Sequence, residues 1–170
     1  MSIYTQPNRR GFWLVESAIA IAIIGISVVA VVGSQQSCHI QAVQSERLAT
    51  GMRLAAEIRE MSLLLPANDP ITGSSYWGAE LGELIPLDID DLDDLDDAVF
   101  AESDGTGPID ATGKKIVEMP GWGQQIIVEC VDPFDITNSV PDGASDVIRL
   151  TTKTLYEGEE ITRLVWIAPR

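Results

Sequence analysis

The chain has 170 residues, 45% of them hydrophobic and 22% charged, which is enough for one folded domain. Its 26 acidic and 11 basic residues give a formal net charge of −15, and a surface this acidic repels nucleic-acid phosphates, so no nucleic-acid partner is expected. Two cysteines are too few for a disulfide framework. A single histidine and the lack of a phosphate-cradling glycine motif offer no catalytic set, so we expect no enzymatic activity.

The first predicted element is an apolar helix over residues 12–33. Glu16 is its only ionisable residue, and Arg9 and Arg10 precede it. A stretch of this length suits a hydrocarbon core of roughly 30 Å at about 1.5 Å per residue. The two arginines, with no basic residue after the segment until Arg47, predict a cytoplasmic N-terminus and an exported remainder.

Three interpretations of this segment compete. A secretory signal peptide needs a shorter apolar core that ends in small residues, and Gln35 and Gln36 fit neither that pattern nor a lipoprotein site. A plain single-pass anchor leaves Glu16 unexplained, because a carboxylate within a membrane helix costs on the order of 2.5–3.5 kcal/mol. Glu16 is then at most an interfacial acid near the helix start. The third interpretation is cleavage at the N-terminal end of the segment.

The third interpretation rests on the sequence Gly11-Phe12-Trp13-Leu14-Val15-Glu16. It resembles the class III signal of type IV prepilins and type II secretion pseudopilins. In that family a short basic leader ends in Gly, the next residue is usually Phe, and Glu is the fifth residue after the cut. The resemblance covers residues 9–33, and Gly11, Phe12 and Glu16 occupy the family's positions.

The resemblance implies a mechanism of processing and assembly. Prepilin peptidase would remove residues 1–11 by cutting between Gly11 and Phe12, and the new amine of Phe12 would be N-methylated. Glu16 would pair with the N-terminal amine of a neighbouring subunit and set the axial register, because opposite charges attract strongly in an apolar setting. The implied partners are other pilin or pseudopilin subunits, prepilin peptidase, the inner-membrane assembly platform and the lipid bilayer.

The resemblance also implies a location. The chain would be a single-pass protein of the inner (cytoplasmic) membrane with a periplasmic or extracellular head, and would enter a periplasmic or cell-surface filament after assembly. Major pilins usually carry a proline midway along the membrane helix, and this chain has none there.

Helical patterning continues through residues 34–65. Apolar residues at spacings of three and four predict a core-facing stripe of Leu48, Met52, Ala55, Ile58, Met61 and Leu65. Pro66 ends the pattern. The simplest prediction is one continuous helix over residues 12–65, with a membrane or filament half and an amphipathic half that forms the spine of a soluble head.

Cys38 and His39 are not a predicted metal site, because adjacent helical residues point about 100° apart and no further ligand lies nearby. Cys130 falls in a predicted strand of the head, whereas Cys38 lies near the membrane boundary. A disulfide needs Cα atoms within about 7 Å, so we predict no intramolecular bridge between the two cysteines.

Residues 66–123 are rich in glycine and proline and predict mainly loops, with room for one short helix. Within them, residues 87–97 carry a run of aspartates in which Ile89, Leu92 and Leu95 recur every three residues. We predict that this apolar edge packs while the carboxylates face water. Either a solvated loop or partner face, or a calcium site with Asp90, Asp93 and Asp94 as candidate ligands, fits the run, although the glycine and distal glutamate of an EF-hand are missing.

The segment Asp90-Asp91-Leu92-Asp93-Asp94 is also similar to the Asp-Asp-Val-Asp-Asp-Tyr segment of minor pilins of the mannose-sensitive haemagglutinin type. Leu95 stands where those proteins have the aromatic residue. This second resemblance points towards a minor subunit.

The region 124–170 is predicted to be an antiparallel sheet. Strands are expected at residues 124–131, 146–156 and 161–168, with a turn at Glu157-Gly158 and a fourth strand if Ile116 and Val117 contribute. The loop 132–145 could form a surface contact. The predicted fold class is therefore α+β, a long N-terminal helix packed on a C-terminal antiparallel sheet, as in pilins.

Two functions follow from these features. The first is a structural, minor subunit of a type IV pilus or a type II secretion pseudopilus, two assemblies that share the signal and the helix. The alternative is a membrane-anchored periplasmic or extracellular binding protein with a calcium-dependent acidic loop. Calcium apart, no cofactor is expected.

Overall fold

The computed structural model describes residues 10–66, Pro70, Trp77 and residues 88–169, with side chains described from Trp13 onward. Residues 1–9 of the predicted leader lie outside these ranges. So do residues 67–69, 71–76 and 78–87 of the predicted loop-rich region, and residue 170.

One helix, α1, runs unbroken over Arg10–Ser62, a length of 53 residues, and confirms the prediction of a single continuous helix. It ends three residues before the predicted boundary. Leu63 and Leu64 form a turn in which the Leu64 N–H donates to the Met61 carbonyl at 2.9 Å. Pro66 keeps Leu65 out of helical backbone geometry, so the helix cannot continue past this turn.

The chain divides into two compact units, Met1–Ser45 and Glu46–Arg170. In the first, every side chain described is exposed. The helix that begins there is long and apolar enough to cross a membrane, and its most apolar stretch is entirely unburied. It is therefore a candidate for a single membrane span.

The second unit contains one antiparallel sheet of five strands, namely β1 Val99–Ala101, β2 Trp122–Asp132, β3 Asp135–Ser139, β4 Val147–Tyr156 and β5 Glu159–Pro169. The order is β1-β2-β4-β5, and β3 pairs with the end of β2. Because α1 packs against this sheet, the fold is α+β, as predicted. The predicted meander of three strands is also confirmed, as β2, β4 and β5.

The turn at Glu157-Gly158 joins β4 to β5 where the sequence predicts it. Both residues have positive φ, 51° and 84°. That geometry matches the two-residue hairpin turns whose twist suits the flanking strands. Glycine at the second position therefore suits the turn, and the register of the β4–β5 pairing shifts once more between Thr154 and Leu155.

Two predictions about the minor strands are wrong. Ile116 and Val117 do not form a strand; the fourth strand is β1, and the segment near Ile116 makes only an isolated bridge between Ile109 and Lys115. The predicted loop 132–145 contains β3. The Asp132 carboxylate accepts the Phe134 N–H at 2.8 Å, which turns the chain back and allows β3 to pair with β2.

The predicted core-facing stripe of α1 is also partly wrong. Leu48 and Met52 are 49% and 46% exposed, whereas Gly51 and Leu54 are buried with Ala55, Ile58 and Met61. The reason is Gly51, which brings the helix backbone against β4 and β5. A Cβ there would lie 2.8 Å from Thr154 Oγ1 and 3.1 Å from a Thr162 methyl carbon.

A buried amide joins the helix, the sheet and the loop before β2. Gln124 is fully buried, and its Nε2 donates to the Leu54 carbonyl at 2.8 Å and the Ile109 carbonyl at 3.1 Å. Its Oε1 accepts the Ile109 N–H at 2.8 Å. Beside it, the core is built from large apolar residues that include Ile58, Leu95, Phe100, Ile126, Val128, Ile148 and Leu150.

No disulfide joins the two cysteines, as predicted, and both are free. Cys130 lies on β2 inside the core and is fully buried, whereas Cys38 is exposed on α1.

Candidate functional site

Gly11 and Phe12 lie within the first turn of α1, and Glu16 is an exposed residue one turn further on. Residues four apart share a helix face, so the Glu16 side chain leaves the helix on the same side as position 12. Two hydroxyls of the apolar stretch are bonded within the helix. Ser17 Oγ donates to the Trp13 carbonyl and Ser27 Oγ to the Ile23 carbonyl, each at 2.7 Å. The helix surface that follows Glu16 is therefore apolar in effect.

No Asp, Glu, Lys or Arg occurs between Ser17 and Ser45. These 29 residues extend about 44 Å at 1.5 Å per residue, which exceeds a hydrocarbon core of roughly 30 Å. The excess is the polar but uncharged part, residues 34–45, and charged residues resume at Glu46 and Arg47. From Ser17 onward, the first unit thus offers a long and exposed helix surface without Asp, Glu, Lys or Arg in an otherwise acidic chain.

Residues 88–97, which we call the aspartate loop, lie on the core near β2. Leu92 and Leu95 are buried and Ile89 packs against the core, so the predicted apolar edge is confirmed. Leu95 closes a short 3-10 turn, Asp93–Leu95. This turn is the short helix for which the sequence left room.

The prediction that the carboxylates of the aspartate loop face water is wrong for three of them. Asp91, Asp93 and Asp94 are each 2% exposed. For two of them the backbone supplies partners: Asp91 Oδ1 accepts the N–H groups of Asp93 and Asp94 at 3.0 and 3.2 Å. Asp94 Oδ2 accepts those of Asp90 and Asp91 at 3.1 and 3.4 Å, so the carboxylates fold the loop onto itself.

Asp96 ties the aspartate loop to the sheet. Its Oδ1 accepts the Val128 N–H at 2.8 Å, on the edge of β2 that faces away from β4, and its Oδ2 accepts the indole N–H of Trp77 at 3.4 Å. Burial raises the pKa of Asp96, and the bond from Val128 works against that rise. An otherwise open stretch of strand edge is thereby covered by a side chain.

Within the described ranges, no group of three or more His, Cys, Asp or Glu residues is arranged to hold a metal ion. Asp90, Asp93 and Asp94, the candidate calcium ligands, are thus not assembled as a ligand set. The calcium-dependent binding protein stays a prediction that a calorimetric calcium titration tests.

Asp91 should make the head less stable at neutral pH. Burial, and next the neighbouring Asp93 carboxylate, raises the pKa of Asp91 from 3.8 to about 6. The folded state therefore holds this proton more tightly than the unfolded state. The resulting stabilisation is complete below about pH 4 and is lost as the pH rises through about 6. Integrated over the shift, the loss is roughly 1–3 kcal/mol.

We expect Asp91→Asn to raise the free energy of unfolding at pH 7.5 by this amount and to leave it nearly unchanged at pH 4. Asparagine keeps the oxygen that accepts both backbone N–H groups but carries no charge. Urea unfolding of the full chain in detergent at both pH values measures the difference. Asp97→Asn, at an exposed position of the same loop, is the control, and an equal stability of Asp91→Asn and wild type at pH 7.5 would contradict the prediction.

The β2–β3 hairpin carries a feature that sequence reasoning missed. Phe134, at its tip, is 99% exposed, and Ile136 is half exposed. Behind the tip, Arg149 Nη2 lies 2.9 Å from Glu129 Oε2 and 2.9 Å from Ser139 Oγ, and its Nη1 donates to the Ile136 carbonyl at 3.0 Å. The signal in the sequence is Asp132-Pro133-Phe134-Asp135, a turn sequence with an aromatic residue at its centre.

Comparisons of the chain with models of protein families, with curated proteins and with solved structures give no match.

Proposed function

We propose that this chain is a structural subunit, and a minor one, of a type IV pilus or a type II secretion pseudopilus. Prepilin peptidase cuts it between Gly11 and Phe12, and the amine of Phe12 is then methylated. The chain waits in the inner membrane as a single-pass protein and joins the filament at the assembly platform by packing α1 among the helices of other subunits. The proposal assigns no catalysis to the chain and no nucleic-acid partner.

The position of the signal motif on α1 is the observation that carries the proposal. Gly11, Phe12 and Glu16 open an unbroken helix whose described side chains are exposed from Trp13 to Ala49. The apolar part of this surface, up to residue 33, is unstable in water and needs either a bilayer or other apolar helices around it. When the chain leaves the bilayer, the packed helices of a filament core would surround this surface instead.

The neutral polar stretch over residues 34–45 supports a shared helical core rather than an anchor alone. About 20 residues suffice for a membrane span. Without Arg9 and Arg10 the formal net charge of each subunit falls from −15 to about −17, so subunits repel one another, and a contact region without charge avoids adding to that repulsion at close range.

Three features favour a minor subunit over a major one. Residues 12–33 lack the proline that major pilins usually have, and the cysteines Cys38 and Cys130 are free, so they do not close a C-terminal loop. The aspartate loop carries the third, its resemblance to minor pilins of the mannose-sensitive haemagglutinin type.

N-terminal mass spectrometry of a sheared filament fraction tests the proposal. We expect the first residue of the chain in that fraction to be methylated Phe12, because assembly follows cleavage. A membrane fraction from cells that lack the prepilin peptidase serves as the control and should keep residues 1–11. An intact leader in peptidase-containing cells, or absence of the chain from filaments, would refute the proposal.

A further inference from the structure

The head of this protein contains a groove at the C-terminal end of α1, where apolar side chains lie next to carboxylates. The groove has a volume of about 300 Å³. A cavity of roughly 150 Å³ is known to hold a benzene ring, so this groove has room for one long side chain. Among the described residues, its apolar lining comes from Met61, Leu64, Leu65, Ile89, Ile109 and Ala111.

Two carboxylates are held beside the groove by backbone N–H groups of its wall. Glu57 lies one turn before Met61 on the same face of α1, and its Oε2 accepts the Ala111 N–H at 2.9 Å. Asp110 Oδ1 accepts the N–H and the hydroxyl of Thr112, at 2.8 and 2.7 Å. In the part of the chain that the structure describes, no protein group donates to Glu57 Oε1 or Asp110 Oδ2. Each carboxylate therefore keeps one oxygen for a ligand.

The surroundings of the groove carry further negative charge. Asp88 and Asp90 flank Ile89 of the lining. Residues 60–113, which contribute every lining residue named above, contain no Lys, Arg or His. Met61 belongs to the last turn of α1, and the C-terminal end of a helix carries a partial negative charge that favours cations. The groove therefore suits a positively charged occupant.

Two lysines follow the groove wall, and they offset only part of this charge. Lys115 Nζ donates to the Gly105 carbonyl at 3.0 Å, outside the groove lining. Hydrogen bonds from Thr112, first of all from its hydroxyl, lower the pKa of Asp110, and the charge of the exposed Lys114 contributes least to that shift. Asp110 therefore stays ionised at neutral pH chiefly because of its own hydrogen bonds.

We propose that this groove binds an arginine side chain of a different protein. The alkyl stem lies against Met61, Leu64 and Leu65, and the guanidinium bonds to Glu57 and Asp110. Long basic side chains cover apolar surface with their stem and keep the charged end in polar surroundings. A guanidinium has five donors in one plane and can bond two carboxylates at once, whereas the ammonium of lysine is a compact point charge. A purely apolar side chain would cover the polar part of the groove without bonding to it.

A second copy of this chain is a poor source of that arginine. Copies with a net charge of −15 repel one another. The arginines of the described head also contact groups of their own chain, namely Arg47 with Tyr156, Arg53 with Met119, Arg59 with Glu60, Arg149 with Glu129 and Arg163 with Glu160. The inference does not rest on the proposed function, since a neighbouring subunit of another type and the ligand of an anchored binding protein both offer such a side chain.

NMR of the methionine methyl groups in the full-length chain, kept in detergent, tests the site. The probe is the peptide acetyl-Gly-Arg-Gly-amide. Met61 lines the groove, whereas Met52 and Met119 do not and serve as internal references. We expect the Met61 signal, assigned with a Met61→Leu variant, to shift saturably as the peptide is added. The same peptide with citrulline, which matches arginine in length but has no charge, should bind at least tenfold more weakly.

Two variants remove charge from the site and keep its backbone contacts. Glu57→Gln and Asp110→Asn each retain an oxygen that can accept the N–H of the groove wall, and each should weaken peptide binding about tenfold. Glu60→Gln removes the same charge from an exposed position in the same turn of α1 and should leave the affinity within about twofold. Urea unfolding checks that each variant is folded, and the citrulline comparison on the wild-type chain needs no variant.

Equal binding of the arginine and citrulline peptides, or a Met61 signal that stays unshifted in excess peptide, would overturn the inference. So would equal weakening by Glu60→Gln and Glu57→Gln, because the peptide would then be attracted by the acidic surface as a whole. A lysine peptide that binds as tightly as the arginine peptide would overturn the choice of arginine. None of these results depends on cleavage after Gly11, so the N-terminal mass spectrum tests the proposed function separately.

Discussion

Replacing Glu16 with glutamine is expected to leave the chain in the membrane and to lower its recovery in sheared filaments by about 100-fold or more. The proposed partner of Glu16 is the N-terminal amine of Phe12 in a neighbouring subunit, in an apolar surrounding. Removing one member of a buried ion pair costs about 3–5 kcal/mol, because the other charge stays buried and uncompensated. Every 1.4 kcal/mol is a factor of ten at equilibrium, which gives the expected loss.

The Glu16→Gln chain should still insert, since a neutral amide in a membrane helix costs less than a carboxylate. Quantitative immunoblots of the membrane and filament fractions separate the two effects. Ser17→Ala is the matched control, because the Ser17 hydroxyl is already bonded to the Trp13 carbonyl of its own helix. If Glu16→Gln assembles as well as wild type, Glu16 is only an interfacial acid near the start of the helix.

Replacing Gln124 with leucine is expected to lower the free energy of unfolding by about 2–4 kcal/mol. Leucine retains much of the volume but removes three hydrogen bonds that join β2 to α1 and to the loop at Ile109. The buried Ile109 N–H and carbonyl then lose their partner, and an unsatisfied buried group costs about 1–3 kcal/mol.

Urea unfolding of the full chain in detergent, followed by tryptophan fluorescence, measures the effect. Gln125→Leu is the control. Gln125 is the next residue of β2, is only half-buried, and points to the opposite face of the sheet. Equal stability of the two variants would show that the Gln124 amide does not join the elements as described.

Elements with strong periodic patterns could be predicted from the sequence. Elements whose structure depends on a few polar contacts could not. The continuous helix and the strands β2, β4 and β5 follow from long runs with one clear period and from the Glu157-Gly158 turn. β1 has only three residues, Val99–Ala101, and exists because Ala98 and the neighbouring residues pair with β2. A run of three residues has too short a pattern to predict which strand it pairs with.

The aspartate loop shows a second limit of sequence reasoning. Seven aspartates within the eleven residues 87–97 predict a solvated surface, because burying charge is costly. The structure buries three of them, and for Asp91 and Asp94 the backbone N–H groups within the same short loop are the partners, which a charge count does not reveal. The same holds for Gln124, whose role depends on Leu54 and Ile109, 70 and 15 residues away.

The candidate site divides in the same way. Gly11, Phe12 and Glu16 could be predicted from the sequence because the spacing of the motif lies within one short segment. The exposure of Phe134 could not be predicted, because it depends on β3, which makes the predicted loop 132–145 a hairpin. The helix stripe failed at Leu48 and Met52 since Gly51, a residue without a side chain, sets which face meets the sheet.

The two free cysteines give this protein a built-in pair of kinetic probes. Cys38 is open to reagents in the isolated chain, so the rate at which it is alkylated reports only on what surrounds α1, and should slow when helices gather around it. Cys130 is fully buried on β2 and reacts only when β2 separates from the core. Its rate of modification is therefore limited by the opening of the head. The alkylation rates of Cys38 and Cys130, measured with one reagent in one time course, can therefore distinguish the assembly of subunits from the unfolding of a single subunit.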